Sequence, residues 1–138
     1  RMVQGTLENL KWAGTSASVE ISGASDIASL WGSKSNCAFV FDPPYGRSSW
    51  KSDDGAKLFL EALSAARDID PNGSVSIMLP TTPEALEIDP NQDAEVMGMP
   101  WSELEVLIRG CGWVPVLSSP VKVHRSLARM VVVCHPAD

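Results

Sequence analysis

Asp42-Pro43-Pro44-Tyr45-Gly46 gathers a carboxylate, a proline carbonyl of fixed aim, an aromatic ring and a glycine. Before it runs Cys37-Ala38-Phe39-Val40-Phe41, five apolar residues in a row that predict a strand buried on both faces, as inside a parallel sheet. The two prolines cannot continue that strand. The acid and the Pro43 carbonyl therefore stand at the carboxyl end of a buried strand, where open α/β sheets bind ligands. Two acceptors side by side can hold two N–H hydrogens, and Tyr45 offers a face for stacking. Asp-Pro-Pro is also an ordinary loop opener. The apolar strand before it and Gly46 after it are the context that favours the binding reading.

The elements that must position this stretch follow from periodicity. Val3, Leu7 and Leu10 fall at helical spacing, with Gly14 as a natural stop. Val19 and Ile21 alternate with polar residues and predict a short strand. Ser22 to Asp26 turn the chain, and Ile27 to Trp31 make a short helical turn. After the polar residues from Ser48, Asp53 or Asp54 caps a helix running to about Arg67, with Leu58, Phe59, Ala62, Leu63 and Ala66 inward. Asp70-Pro71-Asn72-Gly73 is a turn, and Val75 to Leu79 the next buried strand. Pro80 to Pro100 read as a long loop with one helical turn. Ser102-Glu103-Leu104-Glu105 has the form of a capping box, opening a helix with Leu104, Leu107 and Ile108 inward. Trp113 to Leu117 and Met130 to Cys134 are strand-like with no helix between them, so they pair antiparallel. The expected fold is α/β: a Rossmann-like sheet, mostly parallel, closing on a C-terminal antiparallel hairpin.

The whole chain bounds the function. Its 138 residues make one domain at most, and 44% hydrophobic with 20% charged residues is a globular composition. No apolar stretch approaches the ~20 residues of a membrane helix and no signal-peptide pattern opens the chain, so no membrane is expected as partner. Cys37, Cys111 and Cys134 are odd in number and lack metal-ligand spacing. They read as free thiols of a reducing, cytoplasmic setting, with no metal. A net charge of −6 sits awkwardly with phosphate binding. A polynucleotide would then be gripped largely by another domain or partner, helped by the local basic group Lys122, His124, Arg125 and Arg129. The chain opens at Arg1 inside a helix, and a fragment of a longer polypeptide is the expectation.

Asp42-Pro43-Pro44-Tyr45 resembles the motif of S-adenosylmethionine-dependent methyltransferases that act on exocyclic amines of nucleobases. The resemblance implies that Asp42 and the Pro43 carbonyl accept the amine hydrogens, turning its lone pair toward the sulfonium methyl, while Tyr45 stacks on an unstacked base. Such transfer needs mainly alignment, which can supply about 7–11 kcal/mol. Asp42 to Ser48 and the stretch His124-Arg125-Ser126-Leu127-Ala128-Arg129 are similar to the tRNA guanine-10 N2-methyltransferases of archaea and eukaryotes. Those carry His-Arg-Ser-Leu-Thr-Arg before their last strand, and here Ala128 replaces the threonine. The order of elements is similar to the second half of a class I methyltransferase, so residues 1–138 would be the C-terminal part of one catalytic domain, lacking its first two strands and inactive alone. The resemblance further implies S-adenosylmethionine as cofactor and tRNA as substrate. Catalytic roles fall on Asp42, Pro43, Pro44 and Tyr45, a cofactor contact on Asp26, and substrate contacts on Gly46, Arg47, Ser48, His124 and Arg125. Asp26 serves equally as a helix N-cap. Two other functions stand beside this one: a DNA adenine-N6 or cytosine-N4 methyltransferase, and a non-catalytic methyltransferase-like partner subunit.

Overall fold

The computed structural model describes residues 1–42, 53–87 and 93–138. Its elements in order are α1 (Met2–Trp12), α2 (Ile27–Trp31), β1 (Ala38–Phe41), α3 (Asp53–Ile69), β2 (Ser74–Thr81), β3 (Glu95–Val96), β4 (Met99–Pro100), α4 (Trp101–Gly110), β5 (Trp113–His124) and β6 (Leu127–Pro136). Two 3-10 turns, Ala24–Asp26 and Pro83–Leu86, lie between them.

β2 is the axis of the sheet. One of its edges pairs antiparallel with β6 from Val75↔Cys134 to Thr81↔Ala128, and β6 in turn pairs antiparallel with β5. The other edge carries β1, parallel, from Ala38↔Ser74 to Phe41↔Ile77, and then β3 at Thr81↔Val96. The expectation of a mostly parallel sheet is corrected: β1 with β2 is the one parallel pairing among the described residues. Parallel pairing needs a crossover, which α3 supplies once, whereas β3–β4 and β5–β6 join through tight turns. No strand forms at Val19 and Ile21, where residues 15–23 hold no regular element and Ile21 stays exposed. Alternation makes a strand only where a neighbour offers a ladder.

The core lies on one face. Val75, Ile77 and Leu79 of β2 and Met130, Val132 and Cys134 of β6 meet Phe59, Leu63 and Ala66 of α3 and Leu104 and Ile108 of α4. Two residues expected inward, Leu58 and Leu107, are 46% and 37% exposed, because each lies just outside its helix's buried stripe. Trp113 is fully buried beneath α3, where its Nε1–H donates to the Leu63 carbonyl at 2.9 Å. The Phe39 ring meets the same indole edge-on at 6.4 Å, and the Arg67 guanidinium lies 5.7 Å from its centroid. On the opposite face, Val40, Met78, Leu117 and Val121 are exposed, so the expectation that β1 is buried on both faces is corrected: its Ala38 and Val40 face stays open. No residue of α1 is buried, and Gly14, at φ +69°, ends it as expected. The cysteines are free, with Cys134 buried and its thiol pushed up to about 11 by burial.

The capping box at Ser102 is also corrected. α4 begins at Trp101, and the cap comes from Asp93: its Oδ1 accepts the Ser102 N–H at 3.0 Å, and its Oδ2 accepts the Ser102 hydroxyl. Glu105 instead pairs with Arg109 one turn on, at 2.7 Å. The Ser102 hydroxyl first, then its N–H, hold Asp93 below the ordinary carboxylate value. A depressed folded value means that the folded chain binds this proton less readily than the unfolded one. The stabilisation is thus full above the ordinary carboxylate range and lost as pH falls through it. Asp93→Ala should lower Tm by roughly 3–5 °C at pH 7. The gap from wild type should close in acid, as a pair of melting curves at the two pH values would show.

Candidate active site

β1 and β3 share one edge of β2 but leave a notch between them. Phe41 sits opposite Ile77 and Val96 opposite Thr81, a gap of about 13 Å along the strand. Asp42, exposed, follows Phe41 into that notch. The notch's far wall is firm: the Met97 N–H donates to the Pro80 carbonyl at 2.9 Å, and the Thr81 hydroxyl to the Glu95 carbonyl at 2.6 Å. Pro43, Pro44, Tyr45, Gly46, Arg47 and Ser48 lie outside the described residues, as does Trp50.

The basic group belongs to the same end of the sheet. β6 runs antiparallel to β2, so the β5–β6 turn projects past the carboxyl end of β2. Counted along the ladder, that tip overhangs the level of Asp42 by about 13 Å and stands two strands, about 10 Å, to the side. Lys122, His124 and Arg125 are all exposed there. The Ser126 N–H donates to His124 Nδ1 at 3.3 Å. Arg129 lies further down β6, half-buried. The hairpin's strands run well past the expected 113–117 and 130–134, and that extra length is what lifts the basic tip above the sheet.

Asp26 ends the 3-10 turn that packs against α3. It is exposed, and its carboxylate makes no capping hydrogen bond to α2. Its neighbours open onto two clefts: Ser25 onto one of about 630 Å³ beside Ala56, Lys57 and Leu60, and Ile27 onto one of about 520 Å³ with Trp31 and Leu58. No group of three or more potential metal ligands occurs among the described residues. No helix there is long and apolar enough to cross a membrane.

The family model for UPF0020, the RMKL-like methyltransferase domain, matches residues 1–104. The chain belongs to this methyltransferase family. No curated protein matches it by sequence. Among solved structures it is similar to a protein of Thermus thermophilus named as a DNA modification methylase, with TM-score 0.57 and 10% identity, over 86% of this chain and 53% of that one. The same protein complexed with S-adenosyl-L-methionine gives TM-score 0.55 at 10% identity, over 86% and 52%. A Burkholderia thailandensis 1,6-didemethyltoxoflavin-N1-methyltransferase gives 0.47 at 15% identity, over 87% and 59%. This methyltransferase domain thus spans about half the length of the structures it matches.

Two residues of consequence escaped the sequence reading. Asp70, read only as part of a turn, is 2% exposed and bonded to the start of β1. Asp93, which caps α4, sits nine residues before the serine it holds, a spacing no local motif covers.

Proposed function

We propose that this chain is the C-terminal part of a catalytic domain that moves a methyl group from S-adenosylmethionine to the exocyclic N2 amine of a guanine in tRNA. The observation that carries the proposal is the placement of Asp42. In a chain of a methyltransferase family, Asp42 follows the parallel strand at its carboxyl end, beside the notch between β1 and β3, at the same end of the sheet as the basic hairpin tip. Asp42 and the Pro43 carbonyl each accept one amine hydrogen, which turns the nitrogen lone pair away from the ring. Tyr45 stacks on the base, and Gly46, Arg47 and Ser48 shape its surroundings. His124 and Arg125 contact the phosphate backbone, which positions the strand without reading its sequence.

The cofactor supplies an electrophilic methyl on sulfur. Asp26 suits a contact to it: an exposed acceptor, not engaged in capping, next to a cleft wall of Ile27, Trp31 and Leu58 that is apolar enough for a purine. The rest of the cofactor site would come from the remainder of the domain. The two sheet edges support this division. β5 carries Pro115, Pro120 and two register shifts, devices that discourage further pairing. β1 carries none of them, and its Val40 is 71% exposed. With the net charge of −6, this favours tRNA being held mainly by a domain or partner subunit outside these residues.

The second reading, a DNA adenine or cytosine amino-methyltransferase, draws on the Thermus neighbour, whose likeness at 10% identity is one of fold. Transfer of tritiated methyl to unmodified tRNA transcripts and to duplex DNA separates the two. The full-length protein should label guanine in tRNA at least 100-fold faster than DNA, and this chain alone should label neither. Faster labelling of adenine or cytosine in DNA would overturn the tRNA reading.

A further inference from the structure

β1 is short, and one of its edges carries no described partner. A slip of two residues along β2 would keep every side chain on its own face, so hydrophobic patterning alone does not fix the register. Such a slip would carry Asp42 about 7 Å along the strand, beyond hydrogen-bonding reach of anything it had met before.

Something at the other end of β1 resists it. Asp70, buried between α3 and β2, accepts the Cys37 N–H through Oδ2 at 2.8 Å and the Asn72 N–H through Oδ1 at 3.0 Å. The Cys37 N–H first, and the Asn72 N–H with it, outweigh burial and hold this carboxylate below its ordinary value, so it stays charged. The Cys37 carbonyl accepts the Ser74 N–H at 3.1 Å, and the Lys34 N–H donates to the Ile69 carbonyl at 2.8 Å. Gly73 completes the seat, since a Cβ there would stand 2.9 Å from both the Cys37 carbonyl and the Phe39 ring. A slipped β1 would take Cys37 off Asp70 and leave a buried carboxylate short of a donor, which is costly.

We propose that Asp70 is a positioning residue for methyl transfer: by clamping the Cys37 N–H it sets the register of β1 on β2, and so the reach of Asp42 at the strand's far end. This rests on the reading of Asp42 as the amine acceptor. Asp70 touches neither cofactor nor substrate in this scheme.

The test uses the full-length methyltransferase with tritiated S-adenosylmethionine and the tRNA transcripts, comparing wild type, Asp70→Ala, Asp70→Asn and, as control, Asp42→Ala. Asp70→Ala should lower kcat 10- to 100-fold, with cofactor Kd and tRNA KM within twofold of wild type. Asp70→Asn, which keeps one acceptor, should fall between. In the same variants the amides of Phe39 and Phe41 should exchange hydrogen at least tenfold faster, while that of Val132 in β6 is unchanged. An unchanged kcat overturns the proposal. So does a loss of kcat matched by faster exchange at Val132, because Asp70 would then serve stability alone. If Asp42→Ala keeps wild-type activity, the reading of Asp42 falls and the role of Asp70 falls with it, whatever the Asp70 variants do.

Discussion

Asp42→Ala in the full-length protein should lower kcat for methyl transfer at least 100-fold and leave cofactor Kd within about twofold. One preorganised polar contact to a group whose charge changes in the transition state is worth about 2.7–4 kcal/mol, a factor of 10² to 10³. An amine whose lone pair is delocalised into the ring is such a group. On the proposed reading the carboxylate holds an amine hydrogen while the nitrogen changes geometry, so its contribution would grow toward the transition state and register in kcat. Asp42→Asn presents one carbonyl oxygen in the same place without the charge, and should lose less. Single-turnover rates with pre-bound cofactor make the measurement, since they isolate the chemical step. A variant that raises only KM would show that Asp42 binds substrate without aiding the reaction.

The largest effect on stability should come from Trp113→Ala, at about 4 kcal/mol, or roughly 10–20 °C in Tm. Trp113 is fully buried and ties β5 to two other elements: Nε1 bonds the Leu63 carbonyl of α3, Arg67 of the same helix lies over its ring, and the ring meets Phe39 of β1 in an edge-on contact. Removing it leaves a cavity, and a buried carbonyl loses a donor. Trp113→Phe keeps most of the volume and drops the N–H, and should cost about 1–3 kcal/mol. Denaturant titrations of the two variants separate packing from hydrogen bonding. Equal losses would assign the whole effect to the N–H.

The strands expected at Cys37 to Phe41 and Val75 to Leu79, found at Ala38–Phe41 and Ser74–Thr81, and helix α3 between them, were legible because apolar runs and a helical stripe are local signals. The hairpin was legible for the same reason, though its length was not, since Ser118 to Arg129 mix polar and apolar residues on a ribbon exposed along much of its length. What sequence could not carry was pairing at a distance. The hydroxyl of Ser102 suggested a cap, but the capping carboxylate arrives from Asp93 by way of the β3–β4 ribbon. Asp70 belonged to a recognisable turn, yet its partner Cys37 is 33 residues earlier. Of the candidate site, Asp42 was singled out from its motif, and the structure adds the notch beside it and the hairpin tip at the same end of the sheet. Val19 and Ile21 show the converse: a local pattern with no ladder to join.

β6 is synthesised after both strands it holds together. Until its ten residues leave the ribosome, β2 has a full open edge and β5 has nothing to pair with. Nearly sixty residues separate Val75 from its partner Cys134, so the middle of the sheet closes through some of the most sequence-distant contacts in the described chain. Closure of the core over Ile77 by Val132 therefore waits until β6 has been made, with one edge of β2 open meanwhile to chaperones and to neighbouring nascent chains. A stop codon before Leu127 would remove the strand that joins the two sides of the sheet, a loss far greater than its share of the length suggests.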